Sequence, residues 1–313
     1  MKKSVKELFE LDYIPEGIMI DIPDERHAYV PAPELNHVHS RNFLSDFLLW
    51  FQFPQGDGFA VTGPTGSGKT SGLLDCLSRL NVPTISVTAN QSMTYHELVG
   101  HNTVVDGTMM YVHGPLANAL KHGFALIINE FDLLDPGEVA GLNDVLEGRP
   151  LVIPENGGEI IQPHKDFRFI VTGNTNGAGD TTGRYVGTAM QNMAFMDRFQ
   201  VVEQNYLEPE LEVQVVHKSV PEIATEMVAK MVEIANEIRR QFMGDEEAEG
   251  TMDITMSTRT LARWARLTHM NQAKRKQGIA PAIYALDRAL GNRTDNATRE
   301  AIHAMVEHTF GAS

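Results

Sequence analysis

One cysteine, two tryptophans and a shortage of positive charge set the first limits on this 313-residue chain. A lone thiol, Cys76, closes no internal disulfide. Its apolar neighbours mark it as a small core side chain. No apolar run approaches the ~20 residues that cross a bilayer, and Met1-Lys2-Lys3-Ser4-Val5-Lys6-Glu7 leads into a mixed segment, not a secretory core. The expectation is a soluble, cytoplasmic protein without a membrane partner. Twenty-six Lys and Arg face 41 Asp and Glu, a formal net charge of −15. That balance, with no aromatic-basic tract, argues against nucleic acid as a partner. Repeats and low-complexity tracts are absent. Twelve histidines include His37-Val38-His39, but without cysteines or carboxylates at ligand spacing they specify no metal centre.

What is present begins at Gly63-Pro64-Thr65-Gly66-Ser67-Gly68-Lys69-Thr70, a phosphate-binding loop of pattern G-x-x-x-x-G-K-[ST], followed by Ser71. Glycines let the backbone curl its N–H groups toward phosphate oxygens. Lys69 adds a mobile cation, and the Thr70 hydroxyl is placed to hold Mg²⁺. Phe59-Ala60-Val61 before the loop reads as a strand, and Gly72 to Leu77 after it as a helix whose positive end faces the phosphates. ATP with Mg²⁺ is the expected ligand.

Strand-like runs recur at Phe59 to Val61, Thr84 to Val87, Ala125 to Ile128 and Phe167 to Val171, between helical patterns. This alternation predicts an α/β fold with a parallel sheet. Three regions are expected: an N-terminal segment, residues 1–54, packing through an apolar helix near Phe43 to Trp50; a nucleotide-binding domain, 55–206; and a helical domain, 207–313. Asp106-Gly107 between β-prone flanks predicts a hairpin insert. Val139, Leu142, Val145 and Leu146 have helical spacing. Ser219-Val220-Pro221-Glu222 has capping-box spacing before the stripe Ile223, Met227, Met231, Ile234, Ile238 and Phe242. Further helices are expected near Ser257 and Asn296, and acidic 244–250 reads as a solvated loop.

Hydrolysis needs an oriented water and relief of charge at the γ-phosphate. In Ala125-Leu126-Ile127-Ile128-Asn129-Glu130-Phe131-Asp132, polar groups arrive at the C-terminal end of a buried strand, where ligands of open α/β sheets collect. Glu130 is the candidate base. Asn129 stands where an aspartate usually supports Mg²⁺, so weaker metal retention is expected, with Asp132 as a possible compensating carboxylate. Restoring aspartate at 129 is expected to tighten Mg²⁺ use. Asn174, after the next strand, is placed to hold the attacking water. Arg198 is the candidate for a cation offered to a neighbouring subunit, and Arg259 for one acting within its own subunit.

This order of motifs resembles the AAA+ ATPases of the MoxR branch, and within them the ATPase subunits of aerobic cobaltochelatases. The likeness is densest in Ile161 to Phe169, in Gly179-Asp180-Thr181-Thr182-Gly183-Arg184-Tyr185-Val186-Gly187-Thr188 and in Met196-Asp197-Arg198-Phe199. It implies a P-loop AAA+ domain followed by a helical lid, assembled as a homo-oligomeric ring, hexameric by analogy, with Arg198 completing the next copy's site. It also implies a partner with a von Willebrand factor A domain and remodelling of a protein or metal site; insertion of cobalt into a corrin ring is the more specific alternative. A nucleic-acid motor and a non-hydrolysing nucleotide-gated scaffold are the competing classes. Arg184 departs from the family pattern and is a further candidate for a cation acting in trans.

Overall fold

The computed structural model describes residues 1–34, 36–180, 183, 185–244 and 252–311. Arg184 and nearly all of the acidic 244–250 stretch therefore lie outside the described residues. The chain divides into two compact units, the first running to Gln204 apart from short excursions and the second containing everything after it.

Five parallel strands form the frame of the first unit: β1 (Gly58–Thr62), β2 (Thr84–Thr88), β3 (Ala125–Asn129), β4 (Arg168–Gly173) and β5 (Phe199–Glu203), in the spatial order β5-β1-β4-β3-β2. The unbroken apolar runs of β1 and β3 are buried along their whole length because both sheet faces are covered. Successive side chains therefore serve opposite cores. Phe59, Val61, Ala125, Ile127 and Ile170 meet the N-terminal segment and the helices Arg41–Gln52 and Lys69–Arg79. Ala60, Leu126, Ile128, Phe169 and Val171 meet the helix Pro115–His122 and the turns that follow β3.

The helix expected near Phe43 to Trp50 forms as Arg41–Gln52, capped by Ser40. Trp50 stacks on Phe59 at 4.8 Å between ring centres and donates its indole N–H to the Asp57 carbonyl. The N-terminal segment is tied down through Asp75, a fully buried carboxylate on the helix after the glycine loop. Asp75 Oδ2 lies 2.8 Å from His39 Nε2 and accepts from Arg79 Nε at 2.7 Å, while Oδ1 accepts from the Glu34 amide. Arg79 also donates to the Leu8 carbonyl. Burial pushes the Asp75 carboxyl up, but the hydrogen bonds from His39 and Arg79 more than reverse this and hold it below its ordinary value.

The Asp106-Gly107 hairpin pairs Gly100–Val105 with Thr108–His113. Both turn residues have positive φ, 50° and 78°, the backbone of a type I′ turn. A second hairpin, Leu151–Ile153 with Glu159–Ile161, was not foreseen from the sequence, nor was the edge strand β5. The single helix expected across Val139 to Leu146 is broken into Pro136–Val139, a 3₁₀ turn Ala140–Leu142 and Asn143–Leu146.

In the second unit the helices are Pro209–Ser219, Thr225–Met243, Thr258–Met270, Pro281–Ala289 and Asn296–Phe310. The capping-box reading of Ser219 is corrected. Ser219 is the last residue of its helix and its hydroxyl donates to the Val215 carbonyl one turn back, so it is spent before the next helix opens at Thr225 without a side-chain cap. Ser257 and Asp295 do cap their helices.

Asp75→Ala should remove about 3–5 kcal/mol from the unfolding free energy, because it strands Arg79 and His39 beside a core. Since the Asp75 carboxyl is held low in the folded chain, its contribution is present above the ordinary carboxylate pKa and is lost as pH falls through the depressed folded value. Urea unfolding of both proteins at neutral pH measures the difference. A loss below about 1 kcal/mol would deny Asp75 this role.

Candidate nucleotide site

Residues 63–68 join β1 to the helix Lys69–Arg79. Gly63, Gly66 and Gly68 take φ of 139°, 72° and 90°, a left-handed path open to glycine and strained for other residues. At Gly63 a side chain has no room either, since a Cβ would lie 2.3 Å from the Gln204 carbonyl oxygen. Pro64 and Thr65 lie between these glycines, and Ser71 falls in the first helical turn. The loop thus delivers the chain into the positive end of a helix dipole.

Lys69 folds back over this loop. Its ammonium donates to the carbonyls of Gly63 at 2.8 Å and Pro64 at 3.0 Å and to Asn174 Oδ1 at 3.0 Å. All three donors rest on neutral oxygens. Burial lowers the Lys69 pKa to about 8, against the opposing pull of Glu130 and Asp132. Ser67 Oγ, also buried, has no hydrogen-bond partner among the described residues. A crowded cation and an idle hydroxyl on a curled loop suit a polyphosphate, whose oxygens satisfy both.

Asn174, directly after β4, connects this cation to Glu130. Its amide oxygen accepts from Lys69, which has only donors, so the amide nitrogen must face the other way, and it donates to Glu130 Oε2 at 2.5 Å. Glu130, directly after β3, takes a left-handed conformation, φ 55° and ψ 42°, at a cost of roughly 1 kcal/mol. Burial raises its carboxyl pKa despite the nearness of Lys69. Asp132, the compensating carboxylate considered from the sequence, keeps Oδ1 buried without a hydrogen-bond partner among the described residues. Its Oδ2 accepts from the amides of Asn174 and Thr175 at 2.8 and 2.9 Å and from the Thr175 hydroxyl, and so fixes the turn that carries Asn174.

Asn129, the last residue of β3, accepts from the Thr70 hydroxyl at 2.7 Å. Ser86 and Thr172, neither singled out from the sequence, complete its surroundings. Thr70 is therefore beside the loop and backed by Asn129, the arrangement in which its hydroxyl oxygen can face a hard cation.

Arg198 is not part of this cluster. Arg198 immediately precedes β5, and its carbonyl accepts from the Gly58 amide at the start of β1. Four residues of strand, about 13 Å at roughly 3.3 Å per residue, separate that end from the glycine loop. Its guanidinium is paired with Glu147 and donates to the Ala194 carbonyl. Arg259 belongs to the second unit, exposed in the first turn of Thr258–Met270. That helix is seated by a buried ion pair missed in the sequence: Arg239 donates to both Glu212 oxygens at 2.7 and 2.6 Å and to the Met256 carbonyl, and Thr258 donates to Glu212. The two charges stand 27 residues apart in the chain and left no local pattern to find.

Lys69 generates a pH prediction. A bound phosphate keeps its ammonium charged, so binding takes up a proton once pH passes the unliganded value of about 8. Nucleotide affinity should be level below that pH and fall above it, by up to about tenfold per pH unit. Titration with a fluorescent nucleotide from about pH 6.5 to about pH 9.5 measures this. A flat profile would mean that Lys69 does not meet the phosphates.

Comparison with known proteins gives the same reading. The AAA domain of the dynein-related subfamily matches residues 58–199, and the CbbQ/NirQ/NorQ C-terminal region matches residues 212–309. The aerobic cobaltochelatase subunit CobS of a Sinorhizobium species is 29% identical over 317 residues, covering 98% of this chain and 90% of that protein. YojN of Bacillus subtilis, an uncharacterized protein, is 32% identical over 51% of each chain. The uncharacterized protein SERP0979 of Staphylococcus epidermidis is 31% identical over 48% of this chain and 56% of its own length. Among the described residues no helix is long and apolar enough to cross a membrane. With the loop, the five-stranded sheet and the helical region in the matching order, the chain belongs to the AAA ATPases of MoxR type, a dynein-related AAA domain followed by a CbbQ/NirQ/NorQ C-terminal region.

Proposed function

We propose that this chain is a subunit of a homo-oligomeric ring, hexameric by analogy, that hydrolyses ATP to remodel a partner protein or metal site together with a von Willebrand factor A domain protein. The observation that carries the reading is the Asn174 amide, which joins Lys69 to Glu130 and so places a phosphate-binding cation and a candidate base on one side chain.

In this mechanism residues 63–71 cradle the phosphates and Lys69 exchanges its neutral oxygens for charged ones. Thr70, with Asn129 behind it, would hold Mg²⁺, which would supply charge neutralisation to the phosphates. Glu130 accepts a hydrogen bond from the attacking water, and Asn174, freed from Lys69, fixes that water in line. Arg198, at the far end of the sheet, has no path to its own loop and completes the site of the next copy. Arg259 serves its own subunit from the helical region. The Gly100–His113 hairpin supports a partner-binding role, since Val104, Met109 and Met110 on it are exposed. The similarity to a cobaltochelatase subunit favours a metal-site client, and insertion of cobalt into a corrin ring is its most specific form.

Two substitutions test the roles. Glu130→Gln should retain ATP while turnover falls by about 10³ or more; phosphate release at the parent rate would remove Glu130 from the base role. Arg198→Ala should bind ATP normally yet lose about 10³ in kcat, and mixing it with Glu130→Gln subunits should restore part of the activity, because some interfaces then pair an intact Glu130 with an intact Arg198. Mixtures with no recovery, or monomers alone at saturating ATP and Mg²⁺, would refute action in trans.

A further inference from the structure

We propose that Asn129 is a positioning residue that acts on the metal only through the Thr70 hydroxyl, and that strand β2 selects an amide at this place over the aspartate usual in such sites. The inference rests on the nucleotide reading above and concerns how that site holds its cation.

Every hydrogen-bonding position of the Asn129 side chain is filled. Oδ1 accepts from Thr70 Oγ1 at 2.7 Å and from Thr172 Oγ1 at 3.2 Å. Nδ2 donates to Ser86 Oγ at 2.9 Å and to the Val87 carbonyl at 3.1 Å. The Val87 contact fixes which atom is nitrogen, because a carbonyl oxygen only accepts. The side chain is buried and ties the phosphate-loop helix to β2 and β4 at once.

Two consequences follow from this wiring. First, the Thr70 proton is committed to Asn129, so the remaining lone pairs of the Thr70 oxygen are the ones available to a cation. Asn129 thereby orients a ligand without being one, as hydrogen-bonded partners of metal ligands do. Second, an aspartate in the same rotamer would set a carboxylate oxygen against the Val87 carbonyl at the distance where a hydrogen bond now stands, two acceptors with no proton between them. To escape, the carboxylate must rotate and release Thr70, or take up a proton and surrender its charge. Neither outcome helps the metal. The sequence-level expectation that aspartate at 129 improves Mg²⁺ use is therefore reversed. Ser86 becomes a residue of the site, holding the amide from the side away from Thr70.

The test measures binding of a fluorescent ATP analogue in EDTA and across a MgCl₂ titration for the parent chain, Asn129→Asp, Asn129→Ala and Ser86→Ala, so that no readout depends on turnover. Asn129→Ala should raise the Mg²⁺ midpoint about tenfold and Ser86→Ala about threefold, each measured against its own affinity in EDTA. Asn129→Asp should need at least as much Mg²⁺ as the parent. A midpoint lowered about threefold or more by Asn129→Asp, or left unmoved by Asn129→Ala, would overturn the proposal. If Asn129→Asp does not fold, the two alanine variants decide. A parent chain that binds no nucleotide with or without Mg²⁺ would instead strike the nucleotide reading itself, and this inference with it.

Discussion

The buried ammonium of Lys69, resting on the oxygens of Gly63, Pro64 and Asn174, is the interaction on which the rest of the site depends. A cation in this position has lost much of its hydration and gained only neutral acceptors, which is why its pKa falls to about 8. It also holds Asn174 in a fixed orientation, and through Asn174 it reaches Glu130. On the proposed function, a phosphate arriving at Lys69 would change the hydrogen bonding of the candidate base through Asn174.

That economy is set by the scaffold. β1, β3 and β4 run side by side and end at the same level, so Thr62, Asn129 and Gly173 release the glycine loop, Glu130 and Asn174 into one space. Asp132 pins the turn at Asn174, and Asn129 pins Thr70 to β2 and β4. The same parallel geometry sends Arg198 to the opposite end of the sheet. On the proposed function, one set of strands separates the groups that would bind a nucleotide from the group offered to a neighbour, and a head-to-tail assembly would bring the two back together.

Much of this was legible in the sequence because it rests on local chemistry. The glycines of 63–68 announce a left-handed backbone, the buried strands read as apolar runs, and Asp106-Gly107 fixes its own turn type. What escaped lacked such a signal. β5 alternates buried and partly exposed residues at a sheet edge, so Phe199 to Glu203 offers no continuous apolar run. The strands Leu151–Ile153 and Glu159–Ile161 are three residues each, too short to show a period. The helix that the spacing of Val139 to Leu146 suggested is interrupted by the 3₁₀ turn Ala140–Leu142, which contains Gly141. Ser219 fits the capping pattern, yet its hydroxyl had a nearer carbonyl to bond. Within the site, Glu130, Asn174 and Lys69 were identified singly. Their connection through one amide, and the dependence of Asn129 on Ser86 and Val87, arise from residues brought together by strand order.

The central claim concerns where Lys69 goes when a nucleotide binds. An experimental structure of the Glu130→Gln chain with ATP and Mg²⁺ tests it most directly. The account predicts Lys69 Nζ within hydrogen-bonding distance of a phosphate oxygen, with its contacts to Gly63 and Pro64 released. A nucleotide ordered elsewhere, with all three neutral contacts of Lys69 intact, would contradict it.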